Sequence, residues 1–320
     1  MPKSVPLSCE ILCFLAFATA GATREKRPNA AIELLNAARL ADLRAADEHG
    51  FVIRAAIKLE EANGAETEGS YLLASSSTAW REEFSFDDFH QVRISAPGGV
   101  WEERDPYFLS LRVWQLMKAL AFYGRFTLNW SESAGNIKHT RRNGTDLRCI
   151  RISRHSNPTS ELCFLNDLAQ LVTEHYLPAE RQYELGDYKT IRNKFFPGRI
   201  RVFDHKLLAA EFSVSEVKES DSIPPAMFQR PLRAQWRPWC ASPESGGDPL
   251  SPIYANRSHG KGTSTVYGAI GPDGRWHAVH ILESGGARHD AEVLDTLKRE
   301  RWIPTTCNGV PIVVETVSRR

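Results

Sequence analysis

The chain has 320 residues, 42% of them hydrophobic and 25% charged, with 40 Lys and Arg against 39 Asp and Glu for a formal net charge of +1. That composition is ordinary for a folded globular protein, and the length leaves room for one or two domains. Near-balanced charge argues against a nucleic-acid binder, because neutralising phosphates needs a concentrated basic surface.

The first residues come next in chain order. Lys3, the apolar stretch Ile11 to Ala18 and the small residues Ala18 to Ala22 precede Arg24-Glu25-Lys26-Arg27 and read as a secretory signal peptide over residues 1–22. The apolar core is too short for a stable spanning helix, and Ala18 and Ala20 have the Ala-x-Ala spacing of a peptidase site. Glu10 abuts the apolar run, so an uncleaved anchor is the alternative. No later segment is long and apolar enough to cross a bilayer.

Residues 30–46 place Ile32, Leu35, Ala38 and Leu43 near helical spacing and predict one amphipathic helix. The period then changes to two. Ile53, Ala55, Ile57 and Leu59 alternate with Arg54, Ala56 and Lys58; Tyr71 and Leu73 begin a second run; Trp80, Glu82, Phe84 and Phe86 form a third. Runs at 91–95 and 100–103 flank Pro97-Gly98-Gly99, a hairpin turn by composition. Asp105-Pro106 opens a predicted helix reaching Tyr123, since proline is tolerated in a first turn. Strands resume over 168–175, 188–195, 198–203 and 207–214, and 222–228 reads as an extended exit. Trp80, Phe84, Trp101, Trp114 and Phe122 either line a cavity or fill it.

Beyond the signal segment lie Cys149, Cys163, Cys240 and Cys307. An even number in an exported chain favours disulfides. Cys149 and Cys163 sit in strand-like runs at 146–152 and 161–165, which adjacent antiparallel strands would bring within reach. Bridging Cys240 to Cys307 would close a long loop, worth about 4 kcal/mol in the chain-entropy model. The other pairings, and free buried thiols, stay open.

Residues 236–250 are rich in Pro, Gly and Ser, lack periodicity and read as a linker between a domain at 30–235 and one at 251–320. In the second domain, Gly262 to Ile270 is rich in β-branched residues, and Asp273-Gly274 is a two-residue hairpin signal. Trp276 to Leu282 supplies the return strand. Ala291, Leu294, Leu297 and Lys298 recur at helical spacing between Asp290 and Arg301, with basic residues in the last turn opposing the helix dipole. Arg301-Trp302-Ile303-Pro304, Asn308-Gly309-Val310-Pro311 and a β-branched strand follow.

This order over 251–317 resembles the C-terminal domain of TonB, with Trp302 two residues before Pro304, and Gly309 and Pro311 in place. Glu300 stands where the family usually has a second aromatic, and Tyr254-Ala255 where it has Tyr-Pro. The strand meander with apolar helices over residues 31–229 resembles the half-barrel of the LolA and LppX group, including Phe196-Pro197-Gly198-Arg199-Ile200 followed by Ala209, Glu211, Phe212, Val214 and Val217. Together the resemblances imply an α+β chain: a curved antiparallel β half-barrel with covering helices, and a small TonB-like α+β domain.

The implied location is the periplasm. The implied function is docking an extended segment of an outer-membrane transporter or other envelope protein by strand addition, within TonB-dependent transmembrane transport. Ile312, Val313, Val314 and Glu315 would form the partner-binding strand, because an edge strand presents unpaired backbone groups. The alternative is a lipid or lipoprotein carrier holding an acyl chain in an apolar half-barrel cavity. No transmembrane anchor or proline-rich spacer of a conventional TonB is visible.

Motifs for chemistry are weak. Gly260-Lys261-Gly262-Thr263 is similar to a phosphate loop but lacks its upstream glycine, and Ser215-Glu216-Val217-Lys218 lacks the companion Lys-Thr-Gly of penicillin-binding enzymes. His277 and His280, the one close histidine pair, project to opposite faces of a strand, so a shared metal is disfavoured. No catalytic, cofactor or metal site is expected, and no nucleic-acid partner.

Overall fold

The computed structural model describes residues 29–43, 50–60, 64–106, 110–122, 128, 132–154, 157–166, 168–176, 181–204, 206–220, 223–238, 262–307 and 309–320. The segment read as a signal peptide and most of the linker lie outside them.

The chain enters through α1 (Ala30–Leu40), where the Asn29 side chain accepts a hydrogen bond from the Ala31 N–H and satisfies one of the free donors of the first turn. The helix stops short of the expected Ala46. The chain leaves it to pair with Phe195, whose N–H donates to the Ala41 carbonyl and whose carbonyl accepts from Leu43. Then come β1 (Phe51–Glu60), β2 (Glu66–Ser75), β3 (Trp80–Phe86), β4 (Phe89–Ala96) and β5 (Gly99–Asp105), followed by α2 (Leu111–Phe122). Pro106 therefore follows a strand and not a helix cap. Asp105 is held in β5 by pairing with His90, so the helix starts later than the sequence suggests.

Next are β6 (Glu132–Ala134), β7 (Lys138–Arg142), β8 (Thr145–Arg154), β9 (Asn157–Leu165), β10 (Leu171–Tyr176), β11 (Arg181–Gly186), β12 (Lys189–Ile191), β13 (Lys194–Phe196), β14 (Arg199–Asp204) and β15 (Leu207–Glu219). A 3-10 turn at Pro225–Phe228 replaces the expected extended exit and leads into β16 (Gln235–Pro238). Trp236 to Pro238 were expected in the linker. They instead pair with β5 and satisfy its open edge, from Gln235 opposite Glu102 to Pro238 opposite Gly99.

Fourteen strands form one open, curved antiparallel sheet in the order β16-β5-β4-β3-β2-β1-β15-β14-β11-β10-β9-β8-β6, with β7 also on β8. Its centre is the pairing of β1 with the long β15, which sets Ile57 opposite Phe212 and Ile53 opposite Val217. Side chains alternate between faces, so β1 buries Phe51, Ile53, Ala55, Ile57 and Leu59. Two rows define the concave face. One runs Leu59-Ala210-Val202-Tyr183-Glu174-Leu162-Ile150 from β1 out to β8. The other runs Ala55-Tyr71-Phe84-Gln91-Arg104 from β1 out to β5.

That face is a packed core. Ala31, Leu34, Leu35 and Ala38 of α1, and Val113, Leu116, Ala119 and Leu120 of α2, join it. Tyr71 is its hub, edge-on to Phe84 at 4.9 Å and to Phe212 at 5.2 Å. Gly69 lets the Phe86 ring lie across β2, since a Cβ there would meet that ring at 2.3 Å.

The C-terminal residues form β17 (Thr265–Ile270), β18 (Trp276–Glu283), α3 (Ala287–Arg299), β19 (Thr306–Cys307), β20 (Val310–Pro311) and β21 (Val314–Arg319), with a sheet ordered β18-β17-β21. The Asp273-Gly274 turn is as expected, Gly274 adopting a φ of 67°. Helix α3 buries Val293 and Leu297 against Val266, Ile270 and Trp276, so its inner face is turned away from the expected Ala291 and Leu294. Glu300, where the TonB pattern has an aromatic, is buried and accepts from the indole nitrogens of Trp276 at 3.1 Å and Trp302 at 3.2 Å. Arg320 closes the same carboxylate at 3.0 Å.

Phe84 is 1% exposed at the core hub. Phe84→Ala should cost about 3–5 kcal/mol through lost burial and an unfilled cavity. Urea denaturation measures this, and a loss under about 1 kcal/mol would mean that the row is not packed as described.

Candidate functional site: the concave face and its cover

An open sheet with one apolar face needs a cover, and three separate pieces supply it. Helices α1 and α2 lie over the middle. The C-terminal sheet takes the end near β5: Tyr267 of β17 is fully buried in the main core, with Leu282 of β18 and Val317 of β21 packed against it. Alternation explains this, because Val266 and Ile270 face α3 while Tyr267 faces the large sheet.

Polarity changes along the rows that the C-terminal sheet covers. Beyond Leu73, the row Ile53-Leu73-Glu82-Arg93-Glu102 becomes charged, and beyond Phe84 the other row ends in Gln91 and Arg104. Arg104 is the junction. It reaches Glu102 at 2.6 Å on its own strand, and across the interface the Glu315 carboxylate at 2.8 and 3.2 Å and the Tyr267 hydroxyl at 3.1 Å. Its side chain is 6% exposed and that of Glu102 10%. Arg237 of β16 adds to Glu102 at 3.3 Å, and Gln91 donates to it at 2.5 Å. Burial would raise the Glu102 carboxyl, but Arg104, Arg237 and Arg93 together hold it below the usual carboxylate range. Burial also opposes the Arg104 charge, and Glu102 and Glu315 outweigh it, so the guanidinium is held firmly protonated.

A second polar layer lies under α2. Arg112 donates to the Glu60 carbonyl at 3.0 Å, to Gln115 at 3.1 Å and to Asp204 at 3.1 Å, and Gln115 donates to Asp204 at 3.0 Å. The Asp204 carboxyl is lowered: burial opposes this, but the Gln115 bond and the charges of Arg181 and Arg112 prevail. Arg181, opposite Asp204 in the register, lies 5.4 Å from the Trp114 ring centroid. One residue pair further in, Glu174 and Tyr183 face each other, both 6% exposed. Burial pushes the Glu174 carboxyl up to about 8 with Arg181 only partly opposing, and it pushes the Tyr183 phenol up to about 12.

Of the aromatics singled out from the sequence, Phe84 fills the core and Trp114 packs against it beside Arg181. Trp80 faces Arg93 at 5.9 Å, and Trp101 carries Arg230 at 3.7 Å on the opposite face from Glu102. The Phe122 side chain lies outside the described residues. The charged layers escaped the sequence reading, although Glu82, Arg93, Glu102, Arg104 and Glu174 at apolar strand positions were their one visible signal.

Cys149 and Cys163 form a disulfide between directly opposed residues of β8 and β9. Cys307 is disulfide-bonded, and Cys240 lies outside the described residues. Cys149 and Arg151 alternate with the core residues Ile150 and Ile152, so a cavity of about 260 Å³ lined by Lys138, Cys149, Arg151 and Glu161 opens on the other face of the sheet. Cys149, Cys163 and Glu161 lie within 4.8 Å of one another, but the two sulfurs are bonded and are no ligand pair. The His277 Nε2–H donates to the Asp273 carboxylate at 3.0 and 3.1 Å.

The expected binding strand is shifted. Val314 and Glu315 open β21, whereas Ile312 and Val313 precede it, the Ile312 N–H donating to the Thr305 carbonyl at 2.8 Å. Glu315 turns towards Arg104, its side chain remaining 23% exposed. No helix among the described residues is long and apolar enough to cross a membrane.

No family model matches the chain, and no curated protein matches it. Among solved structures it is similar to a DUF1329 family protein from Desulfovibrio piger, at 11% identity over 62% of this chain and 96% of that one, TM-score 0.46. It is also similar to a LolA superfamily protein from Nitrosomonas europaea, at 12% identity over 62% and 97%, TM-score 0.42. A third likeness is to the MucA/MucB complex of Pseudomonas aeruginosa, at 12% identity over 70% and 72%, TM-score 0.29.

Two outcomes follow. Arg104→Ala leaves Glu102 and Glu315 without their shared cation and should cost about 3–5 kcal/mol in chemical denaturation, as breaking a buried pair does; a cost under about 1 kcal/mol would remove the network as the joint of the two units. Between the ordinary carboxyl value of 4.5 and about 8, the unfolded chain gives up the Glu174 proton while the folded one keeps it, so folding stability falls as pH rises. Glu174→Gln should abolish that decline, gaining roughly 3–5 kcal/mol relative to the parent between pH 4.5 and pH 8. Parallel stability profiles for the two proteins would contradict it.

Proposed function

We propose that the protein is an exported envelope protein that holds the apolar chain of a lipid or lipoprotein against its concave sheet face, with the C-terminal unit as part of the cover. The observation that carries this reading is how the face is closed. Its apolar rows are covered by α1, α2 and a C-terminal sheet, none of which is hydrogen-bonded into the large sheet by strand pairing. Side-chain packing and side-chain hydrogen bonds, not a strand ladder, therefore hold that cover. Here a buried ion network, whose desolvation offsets much of its Coulomb gain, joins the C-terminal unit to the face. Such a cover can yield to an apolar chain at modest cost, exchanging its contacts with the sheet for those of the ligand.

A second reading has its own support. The C-terminal unit has the strand-strand-helix-strand order expected of a TonB-like domain, and β21 is the edge of its sheet, with Val310 and Val313 exposed before it. In that reading β21 receives an extended segment of an outer-membrane partner, with Ile312, Val313 and Val314 flanking the contact.

Native mass spectrometry of protein purified from envelope fractions tests the first reading. The expected result is an adduct of lipid mass that organic extraction removes and that a long-chain lipid restores. Protein free of adduct that also fails to take up added lipid would reject it.

A further inference from the structure

We propose that the polar layer beneath α2 receives the anionic headgroup of a single-chain amphiphile, a fatty carboxylate or an alkyl phosphate, with Arg181 as its counter-charge. This rests on the apolar-chain reading above and names the chemistry of the ligand's polar end.

The charge count of the layer is the first argument. Asp204 is the carboxylate shared by two guanidiniums: Arg112 bonds it directly at 3.1 Å, and Arg181 stands opposite it across the β11–β14 pair. Gln115 uses the same carboxylate oxygen at 3.0 Å. Glu174, the next acid in the layer, offers no second charge at neutral pH, because burial holds it protonated up to about 8. Among the described residues the layer therefore has one positive charge more than it has negative ones. Arg181 is half-buried with its Nε shut off from solvent, and a partly buried cation lacking an equal counter-charge carries a cost that a ligand anion reduces.

Donor geometry is the second argument, and it is independent of the first. The Nε of Arg181 is buried and has no hydrogen-bond partner, an exception among buried polar groups. Its guanidinium carbon lies 5.4 Å from the Trp114 ring centroid and the group also hydrogen-bonds the Tyr183 side chain, which leaves the buried Nε edge for a carboxylate or phosphate oxygen. Glu174 in its neutral form and Tyr183 are further donors beside it.

The surroundings then set the ligand class. The row that holds Tyr183 and Glu174 continues into Val202 and Ala210 on one side and Leu162 and Ile150 on the other, all buried and apolar. A charged end in the layer with an aliphatic tail along these rows describes an amphiphile with one anionic head. A neutral acyl chain would leave Arg181 as it is.

The test measures binding of palmitate, hexadecyl phosphate and hexadecanol to the delipidated full chain by titration calorimetry. At least one anion should bind about 10- to 100-fold more tightly than the alcohol, the range of a charge-assisted contact, and the preferred anion identifies the headgroup. Arg181→Met should bring that preference to within about threefold while leaving hexadecanol affinity unchanged, and Arg181→Lys should keep part of it. If the parent protein binds the alcohol as tightly as both anions, the headgroup proposal is overturned and the apolar-chain reading stands. If it binds none of the three, both are overturned. Should Arg181→Met fail to fold by circular dichroism, the parent's preference and the lysine variant decide the matter.

Discussion

The apolar concave face of the open sheet is the constraint on which everything else depends. Fourteen strands in one antiparallel sheet satisfy one another's backbone groups but leave a broad surface of Ile, Leu, Val, Phe and Tyr side chains toward one side. Burying such a surface stabilises by about 25 cal/mol per Å² of apolar area, so it will recruit whatever apolar element the chain can bring to it. Helix α1 arrives from before the sheet, α2 from a connection within it, and Tyr267, Leu282 and Val317 from the far end of the chain. The proposed function rests on the same demand, since an apolar ligand chain would meet it as a covering element does.

Where the cover is polar, its energetics differ. The contact between the large sheet and β17–β21 joins the apolar packing of Tyr267, Leu282 and Val317 to the charged set Arg104, Glu102 and Glu315. Buried charge networks add little net stability but penalise wrong geometries strongly, since each mispaired partner is left uncompensated. The network thus fixes the orientation of the C-terminal sheet more than it adds to the stability that Tyr267, Leu282 and Val317 supply. Further along the sheet, the layer of Arg112, Asp204, Arg181 and Glu174 is a second buried polar set under α2. Apolar positions flank this layer on both sides, with Val202 and Ala210 towards β15 and Leu162 and Ile150 towards β8.

Local features of this architecture are legible in the sequence, and distant ones are not. The alternation Ile53, Ala55, Ile57, Leu59 marks β1 because its period is set by the pleat, and Asp273-Gly274 marks its hairpin because the turn needs a positive φ. Cys149 and Cys163 lie in two strands joined by a short loop, so their pairing needs only local register. By contrast, Trp236 to Pro238 of β16 are read as linker because they have no pattern of their own and are a strand only through the open edge of β5. Helix α2 begins late because β5 claims Asp105. Arg104 is separated from Tyr267 and Glu315 by 163 and 211 residues, and no periodicity reports a contact at that distance. Glu174 and Arg181 belong to different strands, and only the register of β10, β11 and β14 brings them together with Asp204. Glu300 departs from the TonB-like pattern, and the structure gives the departure a use as the buried acceptor for two tryptophans.

The account makes the C-terminal sheet a cover that competes with a ligand for the concave face. Hydrogen exchange followed by mass spectrometry, with and without a saturating long-chain amphiphile, measures this competition directly. The account predicts that ligand accelerates exchange of the amides in β17 and β21 while those of β1 and β15, at the centre of the sheet, stay protected. Ligand binding that leaves β17 and β21 as protected as before would contradict it.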